Sequence, residues 1–231
     1  MDRFRQVKVA MVDQHALFTE CLGIVLQQER YAYRAVPMPQ GVGQTGKVLA
    51  ELMAMRPDVL LVNVDLGPEC DGTALIAPLA RASFTAVVVV TESEDESRWG
   101  QCLAQGARIV LPKSASLRSV VSVVRRVSQG QPVLERSERD RLIAVHRRQI
   151  RQNHVELGRL HDLSPQEGEI LRHLMAGRTV GEIAALRVVS VATVRTQVKA
   201  ILAKLNVSSQ LAAVAVAHRA GWESHSLPIA A

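Results

Sequence analysis

The sequence predicts a two-part chain, an α/β domain on a doubly wound parallel sheet of five strands followed by an all-α domain. Three observations carry that expectation. Between residues 7 and 129, five short apolar runs alternate with five segments of helical length, the rhythm of βα units. Beyond residue 135 no strand-like run occurs, and apolar residues recur at helical spacing instead. The charge divides too: residues 1–130 carry 14 Lys+Arg against 13 Asp+Glu, whereas residues 131–231 carry 14 against 9. A positive excess confined to the C-terminal part suits a polyanionic partner.

Composition narrows the class. A chain of 231 residues, 48% of them hydrophobic, can bury one large core or two small ones. Its longest apolar runs, such as "AVVVV" at 86–90, fall far short of the roughly 20 residues of a membrane span. The start, "MDRFRQVKVAMVDQ", lacks a signal peptide's apolar region, so a cytoplasmic protein with no membrane partner is expected. Cys21, Cys70 and Cys102 are widely spaced with no His or Cys cluster beside them. Neither a disulfide framework nor a metal site is indicated, and no cofactor is expected.

The expected strands are Val7–Val12, Ala32–Val36, Val59–Val64, Ala86–Val90 and Ile109–Leu111, each a near-continuous apolar run of the kind buried in parallel sheets. The segments between and after them, 15–29, 45–55, 73–82, 95–105 and 116–129, have helical length, and right-handed crossovers place them on both faces of the sheet. The third strand, in "PDVLLVNVDLGPECDG" at 57–72, runs out into a Gly/Pro/Asp loop. Ligands of open α/β sheets bind at such strand ends. There Asn63 presents an amide where a carboxylate could stand.

Two other stretches imitate sites. "GVGQTGKV" at 41–48 supplies Gly41, Gly46 and Lys47 of a phosphate loop, but Val48 replaces the Ser/Thr that would hold Mg²⁺, so a loop at a helix start is expected rather than a nucleotide-binding enzyme. "ESEDES" at 92–97 reads as a solvated loop and helix start.

Residues 131–161 read as a charged helical linker between domains at 1–130 and 162–231. Within it Ile143, Ile150 and Leu157 fall seven apart amid dense charge, giving one thin apolar seam that could form a dimer contact or lie on its own domain. In "DLSPQEGEILRHLMAG", Ser164 is an N-cap, Pro165 the first helical residue and Glu167 the reciprocal partner of a capping box. Gly177 ends that helix. "TVGEIAAL" forms a short second one, and after a turn through Val189 and Ser190 a third, "VATVRTQVKAILAKL", sets Val194, Val198, Ile201, Leu202 and Leu205 inward.

This helix-turn-helix pattern resembles the LuxR/NarL/FixJ class of DNA-binding domain over about residues 162–222. Two positions depart from it: Leu186-Arg187 reverses the usual polar-then-Leu order, and Gln197 stands where many members have His. The resemblance implies that the third helix enters the major groove of double-stranded DNA, with Arg195, Thr196 and Lys199 at base edges and Ser190, Thr193 and Lys204 at phosphates. It also implies a homodimer contact through Leu211, Val214, Ala215 and His218 of the last helix.

Residues 5–129 resemble the flavodoxin-like receiver domain of bacterial response regulators. Receivers gather acids after the first strand, a phosphoacceptor Asp at the end of the third, Ser or Thr after the fourth and Lys after the fifth. Here "MVDQH" supplies Asp13 but Gln14 in the second acidic position, Asn63 takes the phosphoacceptor position, and Thr91 and Lys113 match the remaining two. Val110 stands where the family's aromatic switch is usual. An acyl phosphate needs a carboxylate nucleophile, and Mg²⁺ needs hard anionic oxygens, so phosphotransfer is expected to fail. Lys113 is expected to pair with Asp13 or with the amide oxygen of Asn63. The reading is thus an atypical response regulator with a degenerate receiver, a DNA-binding regulator and not an enzyme, acting independently of phosphorylation. Its alternatives are a pseudo-receiver that binds a small-molecule effector, or one that pairs with a second response regulator as a heterodimer.

Overall fold

The computed structural model describes residues 6–38, 41–67, 70–82 and 84–222. The expected last domain, 162–231, therefore ends outside the described residues. The chain divides between Arg147 and Arg148 into two compact units.

The first unit holds strands β1 (Lys8–Val12), β2 (Ala32–Ala35), β3 (Val59–Val62), β4 (Ala86–Thr91) and β5 (Ile109–Pro112), all parallel and in the order β2-β1-β3-β4-β5. Helices α1 (Ala16–Gln28), α2 (Thr45–Met55), α3 (Thr73–Arg81), α4 (Glu96–Ala104) and α5 (Leu117–Ser128) join them. Side chains alternate across a strand, so each face takes every second residue. Ala10, Val12, Leu60, Val62, Val87 and Val89 pack with Leu52, Leu75, Leu79 and Leu103 of α2, α3 and α4. Val9, Met11, Val59, Leu61, Val88 and Val90 pack with Leu22, Leu26, Val120 and Val124 of α1 and α5. Each fully buried aliphatic side chain contributes about 1.5–3 kcal/mol, which fixes the register of this central sheet.

That register builds the strand-tip crevice. The strand order reverses between β1 and β3, where Val12 pairs with Val62, so Asp13 and Asn63 emerge side by side. Asn63 N–H still donates to Val12 O at 2.9 Å, and Lys113 N–H donates to Thr91 O at 2.8 Å at the neighbouring tip. A Cβ on Gly72 would collide with the Asn63 carbonyl oxygen, so a glycine is needed where α3 starts beneath it.

Helix α6 (Arg136–His161) starts in the first unit. Leu142 is buried in its core beside Trp99, Leu134 and Ile143, and Gly100 of α4 admits the Leu142 backbone because any Cβ there would strike its carbonyl. Arg139 donates to the carbonyls of Ala107 at 2.9 Å and Leu103 at 2.6 Å, and Arg141 pairs with Glu96 at 2.6 Å and Glu138 at 2.8 Å. The stretch read as an exposed linker is therefore integral to a domain at its start. Its charges fasten the helix rather than solvate it, which a count of apolar spacing does not detect. Of the expected seam, Ile143 packs in the first unit, Ile150 stays 40% exposed, and Leu157 is half-buried in the second.

In the second unit the end of α6 meets α7 (Pro165–Met175), α8 (Val180–Arg187), α9 (Val191–Leu205) and α10 (Gln210–Arg219). Leu160, Ile170, Leu171, Ile183, Val194, Val198, Ile201, Leu205 and Val216 form the core. Inside this unit Glu156 is buried, accepting from Gln152 and from Arg219 at 3.1 Å. The Ser164–Glu167 capping box forms as expected, and Thr179 with Glu182 makes a second one, a T-x-x-E signature the sequence reading passed over. Among the described residues no single helix is long and apolar enough to cross a membrane.

Candidate functional site

At the strand tips, the fully buried Asp13 carboxylate faces the Lys113 ammonium. Lys113 Nζ donates to Oδ1 at 3.0 Å and lies 2.8 Å from Oδ2, although no directed hydrogen bond reaches that second oxygen. Of the two expected partners for Lys113, the structure selects Asp13. Three residues the sequence reading did not single out complete the setting. His15 donates its backbone N–H to Asp13 Oδ1 at 2.9 Å and brings Nδ1 within 2.9 Å of the ammonium, Glu92 lies 3.5 Å from Nζ, and the Phe18 ring centroid lies 5.3 Å away. Gln14 points to solvent.

Asn63 belongs to a separate cluster. Its Nδ2 donates to Asp65 O at 3.1 Å while its Oδ1 accepts from Asp65 N at 3.1 Å, a closed pair of bonds that turns the amide onto the following loop. Thr91 Oγ1 donates to Asp65 Oδ2 at 3.3 Å, and Arg98 pairs with Asp65 Oδ1 at 2.7 Å. The anion beside Thr91 is thus supplied by the chain itself, two residues beyond the strand tip. From the sequence, Asp65 is the one acid close enough to Asn63 to substitute for the missing carboxylate, and its position two residues on places it in the loop beyond the strand tip.

These donors do not fit a Mg²⁺ ion. Asp13 is committed to an ammonium, the Asn63 oxygen to a backbone N–H, and among the described residues no three His, Cys, Asp or Glu side chains converge as ligands.

In the second unit Ser190 caps α9 by accepting from Thr193 N at 3.0 Å, and the two hydroxyls lie 2.8 Å apart. Arg195, Thr196 and Lys199 are exposed on one face. Val194, Val198 and Ile201 hold the opposite face in the core, with Leu202 partly buried. Lys204, expected at a phosphate, lies with its ammonium 2.7 Å from Glu167 Oε2 and 3.2 Å from Asp162 O, tying the end of α9 to the start of α7. Burial alone would raise the Glu167 carboxyl, but Lys204 and the Ser164 cap together hold it below the usual carboxylate range.

The reversed Leu186-Arg187 pair also has a structural basis. Arg187 turns inward to Glu169 at 3.2 Å and Gln166 O at 3.3 Å, leaving Leu186 58% exposed. On α10, Leu211 and His218 are exposed, whereas Val214 and Ala215 are half-buried and Val214 packs on its own core.

A parallel five-stranded sheet with a strand-tip Asp–Lys pair, followed by a capped helix-turn-helix, defines a two-domain bacterial regulator. Residues 9–125 match the family described as "Response regulator receiver domain", and residues 161–217 match "Bacterial regulatory proteins, luxR family". The chain belongs to the NarL/LuxR response regulators and is a DNA-binding transcriptional regulator. Over 221 residues it is 29% identical to the probable transcriptional regulatory protein NarL of Mycobacterium tuberculosis, covering 93% of this chain and 94% of that one. It is 26% identical over 230 residues to the transcriptional regulatory protein DegU of Brevibacillus brevis, covering 94% and 95%. The structure of RcsB from Salmonella enterica serovar Typhimurium bound to promoter P1flhDC shares the fold, with a TM-score of 0.51 at 19% identity over 92% of this chain and 98% of that one.

Proposed function

We propose that this regulator works without aspartyl phosphorylation, as a cytoplasmic homodimer on DNA whose receiver is degenerate. The observation that supports this most is Asn63: the strand tip offers an amide already engaged with Asp65 on both its polar atoms. An amide is a poor nucleophile, and the groups that would meet a phosphoryl each have an internal partner, Lys113 in Asp13 and Thr91 in Asp65. One closed conformation of the strand tips then persists whatever the phosphate donor. On this reading Arg195 and Lys199 contact base edges and Ser190 and Thr193 contact phosphates.

Incubation of the full chain with acetyl phosphate and Mg²⁺ tests it. Intact mass and DNA affinity should both stay unchanged. A stoichiometric phosphoryl adduct mapping to residues 57–72 would overturn the reading and make Asp65 the first acceptor to test.

A second reading, regulation through pairing of the receiver with a second response regulator, is favoured by Leu17 and Ile24 of α1, which are 76% and 58% exposed. Changing both to Lys would abolish regulation by such a partner while leaving binding of the isolated regulator to DNA intact.

A further inference from the structure

The amino end of α9 is apolar where it would face DNA. Val191 is 41% exposed and Ala192 is exposed, and the first turn carries no acid. Ala192 precedes Arg195, Thr196 and Lys199 by three, four and seven residues, which puts all four on one helix face, with Val191 beside Arg195. Thr196 belongs with the apolar group in its chemistry. Its hydroxyl donates to Ala192 O at 3.1 Å, so the proton is spent on the helix backbone and a methyl remains to be offered. The Thr193 hydroxyl lies 2.8 Å from that of Ser190, and either oxygen can be the donor. The free donors of this face are therefore Arg195 and Lys199, set against a floor of methyl groups.

An apolar side chain pressed against a base-pair edge leaves that edge's donors and acceptors unsatisfied, which is costly. The major groove holds one group that such a floor satisfies, the C5-methyl of thymine, which 5-methylcytosine also carries. One helical turn is about 5.4 Å and one base-pair step about 3.4 Å, so a turn spans roughly two base pairs. We infer that Val191, Ala192 and Thr196 form a methyl-reading patch, and that the regulator's DNA site carries a major-groove C5-methyl within about two base pairs of the base taken by Arg195. The inference rests on α9 being the reading helix.

The test uses the full chain and the duplex it enriches from a random pool, with anisotropy titrations at fixed salt. Replacing each thymine in turn by deoxyuridine removes only the methyl. At one or two positions this should weaken binding about fourfold per buried methyl. At those positions cytosine should bind as poorly or worse, and 5-methylcytosine should recover the lost factor. Thr196→Ser keeps the hydroxyl and deletes the methyl, and Val191→Thr keeps the shape and swaps a methyl for a hydroxyl. Each variant, with circular dichroism unchanged, should lower affinity for the thymine site and bring the thymine-to-uracil ratio towards one. If every deoxyuridine substitution is neutral, or 5-methylcytosine recovers nothing, the patch is overturned, and a persisting loss of preference in Arg195→Ala shows that α9 still reads DNA. If Arg195→Ala is also neutral, the reading role of α9 falls with it.

Discussion

Lys113 Nζ sits 2.8 Å from Asp13 Oδ2, joining the tips of β5 and β1 across a carboxylate that is fully buried and a lysine side chain only 9% exposed. A buried pair of this kind is expensive to break from one side, because the surviving charge has no solvent to turn to. Lys113→Ala should therefore destabilise the first unit by about 3–5 kcal/mol. The double variant Lys113→Met with Asp13→Asn, which removes both charges, should recover most of that loss. Urea unfolding followed through Trp99, in a Trp222→Phe background, isolates this unit, since Trp99 packs in the first unit's core and Trp222 in the second's.

Restoring the nucleophile alone should be a poor rescue. Asn63→Asp loses the bond from Nδ2 to Asp65 O and sets a new carboxylate near Asp13 and Asp65, and like charges raise a carboxyl's pKa. Gln14 still supplies no anionic oxygen. Asn63→Asp should show no phosphoryl adduct by intact mass after acetyl phosphate and Mg²⁺, whereas Gln14→Asp with Asn63→Asp should show a detectable one. An adduct on the single variant equal to that on the double would mean that Gln14 is irrelevant to metal binding.

On DNA, Arg195→Ala and Lys199→Ala should each reduce the preference for specific over nonspecific duplex by about 1–3 kcal/mol. Equal losses on both duplexes would assign them to phosphates. Lys204→Ala should leave the salt dependence of binding unchanged, because its ammonium is held by Glu167 and Asp162. A salt slope lower by about one unit would show that Lys204 leaves Glu167 for a phosphate in the complex.

For the dimer contact, Leu211 is the informative position, at 79% exposed, because a charge at the half-buried Val214 would also disturb its own core. Leu211→Lys should weaken self-association with no change in the unfolding midpoint. Sedimentation showing an unchanged dimer would move the interface off α10.

Acid should destabilise the second unit. Glu167 and Glu182 both have carboxyls held below their ordinary value, Glu167 by Lys204 and Ser164 against the opposing effect of burial, Glu182 by the Thr179 backbone and hydroxyl. A depressed folded value means the stabilisation is fully present above the unfolded carboxylate value of about 4.3 and is lost as pH falls through the depressed one. Unfolding midpoints read through Trp222, in a Trp99→Phe background, should fall below that pH. Glu167→Gln should flatten the dependence, and a dependence unchanged by it would exonerate the Lys204 pair.

Local pattern alone determined the architecture. The five apolar runs, the helical segments between them and the Ser164 cap are each settled within a few residues, because backbone hydrogen bonding and side-chain period act over that range. That Asn63 stands at the tip of the third strand was legible for the same reason, and the absence of a carboxylate there followed from the resemblance to receivers. The pairings were not. Lys113 meets Asp13 across 100 residues, Lys204 meets Glu167 across 37, and Arg141 meets Glu96 across 45. A charged side chain carries no sequence mark that tells a solvated group from a fastened one. Only the alignment of the β1 and β5 tips in one sheet, the packing of α6 over α4 and that of α9 against α7 decided which charges were committed and which remained free to act.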